Sequence, residues 1–220
     1  MAGRTEHRNQ PGSKPPTLCA ILSTMNQIDK IRAEILQYFN PDNEIIGSGE
    51  ILFSPSTNYK IHLRTYRQND PDRNWEVTCV DIFTVPDNSL IFSFFVNEGT
   101  FFHSWVTKNR NEYLLCAEDA CGGQTIINLT NKEMSSFASG DDGLIWTKHL
   151  LSPDEKLLAV FGCGWASPFF ITVYDFDSPL SLPLKVISQP NWTGYDMVEW
   201  VDNKSLQVKN SETEYATIDI

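Results

Sequence analysis

A short pattern recurs four times along this chain, at a spacing of about 45 residues. Its clearest copy runs through residues 144–146, 151–160 and 171–176. Each copy reads as an aromatic-ended strand, a polar turn, a second strand, a loop and a third strand. A fixed period of 20–50 residues is typical of repeat architectures, so the repeat constrains the fold before any local assignment does.

The other three copies follow the same order of segments. Pro, Asp, Asn and Ser fall between the apolar runs, as at residues 54–58 and 152–156, which is the composition of hairpin turns. Apolar residues alternate with polar ones in several of the runs, as expected of strands. The copies comprise residues 51–53, 59–63 and 75–82, then 101–105, 113–116 and 124–129, and finally 196–200, 205–208 and 215–220.

These repeats predict an all-β fold: a small β-propeller-like array of about four blade units over residues 43–220, with one N-terminal helix. Trp105, Trp146 and Trp200 recur at equivalent places and are expected to pack between blades. Three arrangements remain open at this stage. The four units could close into a ring, form an open array, or form half of a larger ring that a partner completes.

Two segments resemble the blades of WD-repeat propellers. They are Ser-Pro-Asp-Glu-Lys-Leu-Leu-Ala-Val at 152–160 and Val-Tyr-Asp-Phe at 173–176. The resemblance extends over residues 45–220. It implies a rigid scaffold whose loops carry the function, and such scaffolds host binding and catalysis alike.

The first 42 residues differ from the repeats. Residues 1–17 are rich in Pro, Gly, Asn and Gln with a basic excess, and we expect a disordered basic tail. Residues 18–42 form a helical segment, with a helix predicted over 24–39. We expect its apolar face to pack on the propeller, while a partner's groove or self-association into a homo-oligomer remains an alternative. That face consists of Ile28, Ile31, Ile35, Leu36 and Phe39.

Charge and cysteine content narrow the choice of partners. The chain has a net charge of −11, which repels phosphate backbones, so we expect no nucleic acid. No apolar run is long enough to cross a membrane, and we expect no membrane partner. Five cysteines is an odd number, and several fall in predicted strands. We therefore expect reduced thiols and a cytoplasmic location.

The loops between the second and third strands of the units are the candidate binding site. In a propeller these loops meet at one face, and binding residues concentrate on loops held by a rigid scaffold. An acidic face with an exposed tryptophan predicts a non-enzymatic module that binds a protein or a basic peptide. The candidate binding residues are Asp70, Asp72, Glu118, Asp119 and Trp165.

Catalytic and metal chemistry has less support in the sequence. The chain contains no nucleophile elbow and no phosphate-binding glycine loop. Cys116 and Cys121 are spaced more widely than paired zinc ligands, and Cys116 falls in an apolar strand. We therefore predict no metal, no cofactor and no catalytic residue. The alternative is a small hydrolase or lyase that acts on a sugar or ester with carboxylates at the same mouth.

Overall fold

The repeats fold into four antiparallel sheets that follow one another along the chain. The computed structural model describes residues 27–67, 75–118, 122–138, 144–164, 167–189, 194–210 and 214–220. One helix, α1 (Gln27–Ile35), precedes the sheets, followed by two 3₁₀ turns, Leu36–Tyr38 and Pro41–Asn43. The strands are β1 (Glu50–Phe53), β2 (Tyr59–Arg67), β3 (Glu76–Thr84), β4 (Leu90–Val96), β5 (His103–Lys108), β6 (Asn111–Ala117), β7 (Gln124–Asn128), β8 (Glu133–Phe137), β9 (Ile145–Leu151), β10 (Leu157–Cys163), β11 (Phe170–Asp175), β12 (Val186–Ser188), β13 (Tyr195–Trp200), β14 (Ser205–Asn210) and β15 (Tyr215–Asp219).

Each sheet is a meander in which strands adjacent in the chain pair with each other. The first three sheets have the orders β1-β2-β3-β4, β5-β6-β7-β8 and β9-β10-β11-β12, and the described part of the fourth is β13-β14-β15. The sequence predicted three strands in each unit and, in the first unit, also the fourth strand, β4. It missed β8 and β12, which are short and carry few buried side chains.

Side chains in the turns explain why the first hairpins of the first and third sheets form at equivalent places. Ser54 Oγ accepts a hydrogen bond from the Tyr59 amide at 3.3 Å, and Ser152 Oγ accepts one from the Leu157 amide at 2.9 Å. Thr57 and Glu155 occupy the same turn position with φ of 61° in both hairpins. The serine hydroxyl accepts hydrogen bonds from amides within its own turn. It thereby satisfies backbone donors that would otherwise lack a partner where the strand ends.

The sheets pack face to face in chain order, and a buried apolar cluster fills each of the three seams between them. The first seam joins sheets one and two, the second joins sheets two and three, and the third joins sheets three and four. Trp146 lies in the second seam with 0% of its surface exposed. The fold is therefore an all-β, propeller-like array of four units with one N-terminal helix, as predicted.

The two ends of the array are not sealed against each other. No buried cluster of the described residues joins the fourth sheet to the first. The first sheet turns Phe53 and Lys60 away from the first seam, and the fourth sheet turns Glu199 and Asp219 away from the third. We call the exposed parts of these outward surfaces the first free face and the last free face. On sheet one the exposed part is the end near the β1–β2 turn, because the N-terminal segment covers Tyr66, Cys79 and Phe95 at the other end.

The N-terminal helix and the 3₁₀ turn after it pack against the chain's own sheets, at the edge shared by sheets one and two and on the outward side of sheet one. Ile28 and Ile35 are buried, and Phe39 stacks on Phe95 with ring centroids 4.0 Å apart. The predicted apolar face was wrong at Leu36, which is 52% exposed. The chain tightens from α1 into a 3₁₀ turn at this residue, and the change of period rotates Leu36 toward solvent. Among the described residues, no helix has the length and apolar character needed to cross a bilayer.

Candidate binding face

One end of every sheet carries the connections that the sequence singled out. Because the strands of a meander alternate in direction, the loop from the second to the third strand lies at the same end as the start of the first strand. We call this end of the four sheets the loop face. Its two halves differ: α1 covers the half at sheets one and two, and a groove opens in the half at sheets three and four.

The structure describes only one of the five predicted binding residues. Asp70, Asp72, Asp119 and Trp165 lie outside the described residues. Glu118 directly follows β6 on the loop face, as expected from its place in the repeat. Its side chain, however, is only 1% exposed, so it is not a solvated loop carboxylate.

Glu118 is buried because Arg32 of α1 binds it. Arg32 Nη2 lies 2.6 Å from Glu118 Oε1 and also donates to Ser136 Oγ at 3.2 Å. Thr125 Oγ1 donates to the same carboxylate oxygen, and the Arg32 guanidinium lies 5.3 Å from the centre of the Phe94 ring. Partners on β4, β7 and β8 therefore surround one ion pair, and this pair attaches α1 to both sheets.

Gly123 makes the close approach around Glu118 sterically feasible. A Cβ atom at this position would lie 2.9 Å from Glu118 Cβ and 3.3 Å from the Phe137 carbonyl oxygen. Any other residue would push the carboxylate away from β7, since real Cβ atoms do not approach so closely. The sequence predicted that Glu118 would contact a basic partner molecule. In the structure the basic group beside Glu118 is Arg32 of the same chain.

The other half of the loop face is open and aromatic. A groove of about 480 Å³ lies where β10, the loop before β11, and β13 and β14 meet. Phe169 stacks on Phe161 with ring centroids 5.0 Å apart and an interplanar angle of 18°, and 42% of Phe169 is exposed. The groove is further lined by Pro168, Gly194, Tyr195, Asp196, Val198, Lys209 and Asn210.

Charged groups of both signs stand at the rim of this groove. Lys148 Nζ lies 3.0 Å from Asp196 Oδ1, and more than half of the Asp196 side chain remains exposed. Lys209 Nζ lies 5.3 Å from the centre of the Tyr215 ring. An apolar floor with a few polar groups at its edge is the usual composition of a site that buries an apolar anchor and orients it.

A serine and a histidine form a close pair at the second seam. His149 Nδ1 lies 2.6 Å from Ser104 Oγ, and the imidazole is buried against the Trp146 ring. Burial, together with the neighbouring His103, lowers the pKa of His149 to about 3. The imidazole is therefore neutral and shares a hydrogen bond with the serine hydroxyl, and its low basicity makes it a poor general base at neutral pH.

The described cysteines have the properties of packed thiols. Cys79, Cys116 and Cys163 are not in disulfides, and Cys19 and Cys121 lie outside the described residues. Burial raises the pKa of Cys79 to about 11 and that of Cys116 well above its ordinary value. Because the thiolate is the reactive form, these two groups are inert near neutral pH. In the described ranges no cluster of three or more His, Cys, Asp or Glu side chains is placed to hold a metal ion.

Sequence reasoning missed the aromatic groove, although one signal pointed to it. Phe169 and Phe170 follow Pro168 in a segment that reads as a turn, and two adjacent aromatics cannot both enter one face of the following strand. One of them was therefore expected to lie outside the seam that the other enters. The partners of Phe169 could not be read from the sequence, because Tyr195 and Val198 come from the next unit.

No family model and no curated protein matches this chain. Among solved structures, the β-propeller domain of Myceliophteria thermophila Cps50 (Swd1) is 10% identical, with a TM-score of 0.49 over 94% of this chain and 58% of that one. Hydrazine synthase of Kuenenia stuttgartiensis is 13% identical, with a TM-score of 0.44 over 77% and 65%. Dihydro-heme d1 dehydrogenase NirN in complex with DHE is 12% identical, with a TM-score of 0.44 over 78% and 38%. This chain spans less than two thirds of the length of each.

Proposed function

We propose that this protein is a non-enzymatic interaction module that binds a protein or peptide through the loop face of sheets three and four. The observation that carries the proposal is the aromatic groove itself. Phe169 is stacked on Phe161 and yet 42% exposed, so a partner finds an apolar surface already ordered for contact. Binding to a preorganised surface avoids much of the entropy cost of ordering side chains.

The apolar floor of the groove favours a peptide with an apolar anchor, and the acidic net charge of the chain favours a basic residue beside that anchor. The apolar anchor would lie on Phe169 and Val198, and the basic residue would contact the exposed part of Asp196. The net charge of −11 attracts a cationic partner and raises its association rate at low salt. In this proposal Trp165, predicted in the loop between β10 and β11, extends the contact. Asp70, Asp72 and Asp119 are predicted in the equivalent loops of sheets one and two, and all four residues lie outside the described residues.

Glu118 holds a different place in this proposal from the one the sequence assigned to it. Its carboxylate is bound to Arg32, so it supports the loop face from beneath and does not contact the partner. The same pairing leaves the alternative, a hydrolase or lyase with Glu118 as one of two carboxylates, without a supporting observation. Ser104 and the buried His149 do not supply a replacement, because the imidazole is a weak base.

Selection from a random peptide library, followed by titration of the selected peptides, tests the proposal. We expect selected peptides to share an aromatic or aliphatic residue next to Lys or Arg, and to bind more weakly as salt is raised. Phe169→Ala should weaken their binding by about tenfold or more, the effect of removing a central aromatic contact. Leu36→Ala is the matched control, because Leu36 is an exposed apolar residue away from the groove.

The control separates specific binding from adhesion to any exposed apolar residue. Peptides that lose affinity equally with Phe169→Ala and Leu36→Ala would contradict the groove as the site. A library that yields no binder at low salt would contradict the module itself. Circular dichroism of both variants should match the parent protein, since each substitution removes a side chain that is largely at the surface.

A further inference from the structure

We infer that the first seam holds a second binding site at its loop-face end, which takes an organic cation with a guanidinium group. A cavity of about 310 Å³ opens there between sheets one and two, and we call it the first-seam cavity. The aromatic groove lies at the loop-face end of the third seam, so the two sites are separate. Three features of the first-seam cavity point to this ligand: its position, the acceptors that line it, and its likeness to the contact that Arg32 makes.

The first-seam cavity is lined by strand ends from both sheets. Glu50 begins β1 and His103 begins β5, while Thr65 and Thr78 are cross-strand partners near the end of β2 and the start of β3. Side chains two positions apart in a strand share a face, so these four lie above the apolar residues of the first seam. Within this half of the loop face, α1 lies beside β4 and β8, and the cavity opens beside β1 and β5.

The polar groups of the first-seam cavity are mainly hydrogen-bond acceptors. Glu50 is exposed, and no described residue forms an ion pair with its carboxylate. His103 Nδ1 lies 3.1 Å from the Phe101 carbonyl oxygen, which only accepts, so Nδ1 carries the proton and Nε2 of the neutral ring is an acceptor. Thr78 Oγ1 donates to the Glu98 carbonyl oxygen at 2.8 Å, so its proton is already used. A ligand here must therefore bring its own donors.

The charge around the first-seam cavity is negative. Arg67, near the end of β2, is bound by Glu76 of β3, and these two charges offset each other. Glu98 adds a carboxylate whose Oε1 accepts a hydrogen bond from the Gly99 amide at 3.0 Å. Glu50 carries its charge at the cavity without a cationic partner among the described residues. The ligand that this surface favours is therefore a cation.

The chain already binds one guanidinium with groups of the same kind. Arg32 binds the Glu118 carboxylate at 2.6 Å, and hydroxyl groups and an aromatic ring complete its contacts. The first-seam cavity offers a carboxylate, a hydroxyl and an aromatic ring in Glu50, Thr65 and Phe101. The first set of groups is filled from α1, whereas no described cation fills the second.

A guanidinium suits the first-seam cavity better than a compact ammonium does. It is planar, presents several N–H donors at fixed angles, and stacks against aromatic rings. Leu52, Leu63 and Phe101 form apolar walls for the carbon chain attached to it. The volume is at the lower end of the range for ligand pockets, which suits one arginine side chain or a free molecule of that size.

Titration of the full chain with ethylguanidinium, followed by the NMR signals of the ligand, tests the site. We expect saturable binding in the millimolar range, as for other ligands with so few atoms. N-ethylurea has nearly the same shape and no charge. It should bind about fivefold more weakly or less, because hydrogen bonds to charged groups are the strong ones.

Three substitutions locate the bound cation. Glu50→Gln keeps the size of the side chain and should weaken ethylguanidinium binding by about fivefold or more. Glu199→Gln is the matched control, because Glu199 is an equally charged, exposed residue on β13 of sheet four, and it should leave the dissociation constant unchanged. Thr65→Val removes a hydroxyl at nearly constant shape and should weaken binding by about twofold or more.

A short arginine peptide, acetyl-Gly-Arg-Gly-amide, identifies the source of the cation. Tighter binding than that of ethylguanidinium, with the same loss in Glu50→Gln, assigns the site to a peptide side chain. Equal or weaker binding assigns it to a free small molecule.

Four results would overturn the inference. They are ethylguanidinium binding that does not saturate, equal binding of N-ethylurea, a Glu50→Gln variant no weaker than Glu199→Gln, and loss of the cation in Phe169→Ala. The last result would place the cation in the aromatic groove. Because Phe169→Ala is expected to leave ethylguanidinium binding unchanged and to weaken the groove's peptides, the two proposals fail independently.

Discussion

The interior sheets and the end sheets of this array are built from the same meander but differ in the pattern of their second strands. In β6, residues Tyr113–Ala117 are all buried, and so are Leu158–Val160 of β10. In β2 the side chains alternate from Lys60 to Arg64, and in β14 from Ser205 to Lys209. A strand covered on both faces has a continuous apolar run, whereas a strand with one covered face alternates.

The pattern within a strand reports how many of its faces are covered. In β3 of the first sheet, residues 77–80 are all buried because the N-terminal segment covers the outward side of Val77 and Cys79. The second and third sheets each contribute to two seams, so both sides of their strands enter apolar clusters. The first and fourth sheets contribute to one seam each and keep one face outside it. Because the free faces are mixed and charged, any contact they make is expected to be more salt-sensitive than the seams.

The largest expected effect of a single substitution is at the second seam. Trp146 is fully buried, with its ring 5.1 Å from that of His149 and 5.5 Å from that of Tyr174. Trp146→Ala should lower the free energy of unfolding by about 3–5 kcal/mol, because it removes a large side chain and leaves a cavity. Urea denaturation at neutral pH measures this loss. A loss below about 1 kcal/mol would show that the seam relaxes around the change.

The attachment of α1 should give the next largest effect. Arg32→Met removes the partner of a buried carboxylate, and we expect a loss of about 3 kcal/mol in the free energy of unfolding. Glu118→Gln in the same chain should recover much of that loss, since it removes the uncompensated charge. A double-mutant cycle by urea denaturation measures the coupling. Additive losses would indicate that Arg32 stabilises the fold through its contact with Phe94 and not through the ion pair.

The buried imidazole predicts a loss of stability in mild acid. The pKa of His149 is about 3 in the folded protein and about 6.5 when unfolded, so between these values the unfolded state binds the extra proton. Stability is therefore complete above pH 6.5 and falls as the pH decreases toward 3. From pH 7 to pH 5 this residue alone should account for a loss of about 2 kcal/mol.

His149→Asn provides the matched control for this pH dependence. The asparagine does not titrate, and its amide can still face Ser104. Its free energy of unfolding should fall less between pH 7 and pH 5 than that of the parent protein. Equal slopes for the two proteins would show that carboxylates, not His149, dominate the acid sensitivity.

The number and order of the sheets could be predicted from the sequence because each unit carries its own local signals. Turn residues such as Ser152 and Asp154 form hydrogen bonds with residues only a few positions away. The strands and turns of one repeat can therefore be predicted without knowing how it packs on its neighbours. Glu118 could not be placed in this way. Its burial depends on Arg32, which lies 86 residues earlier and belongs to a helix whose docking position is set by tertiary packing.

The binding groove illustrates the same limit. The loop that carries Phe169 is visible in the sequence as a turn-like stretch, but its stacking partner Phe161 and its neighbour Tyr195 come from separate strands. The local sequence pattern therefore predicts which loops form the loop face. Contacts between different units decide which part of that face is open, and these cannot be predicted from one segment alone.

The smallest expected effect on stability is at the first free face, where an aromatic side chain is exposed beside Lys60. Phe53 is 56% exposed at the end of β1. Phe53→Ala should change the free energy of unfolding of the dilute, monomeric protein by no more than about 0.5 kcal/mol, as for a surface substitution. Urea denaturation measures the change and sharpens the comparison with Trp146→Ala. A loss of several kcal/mol would instead mean that Phe53 is packed as the seam residues are.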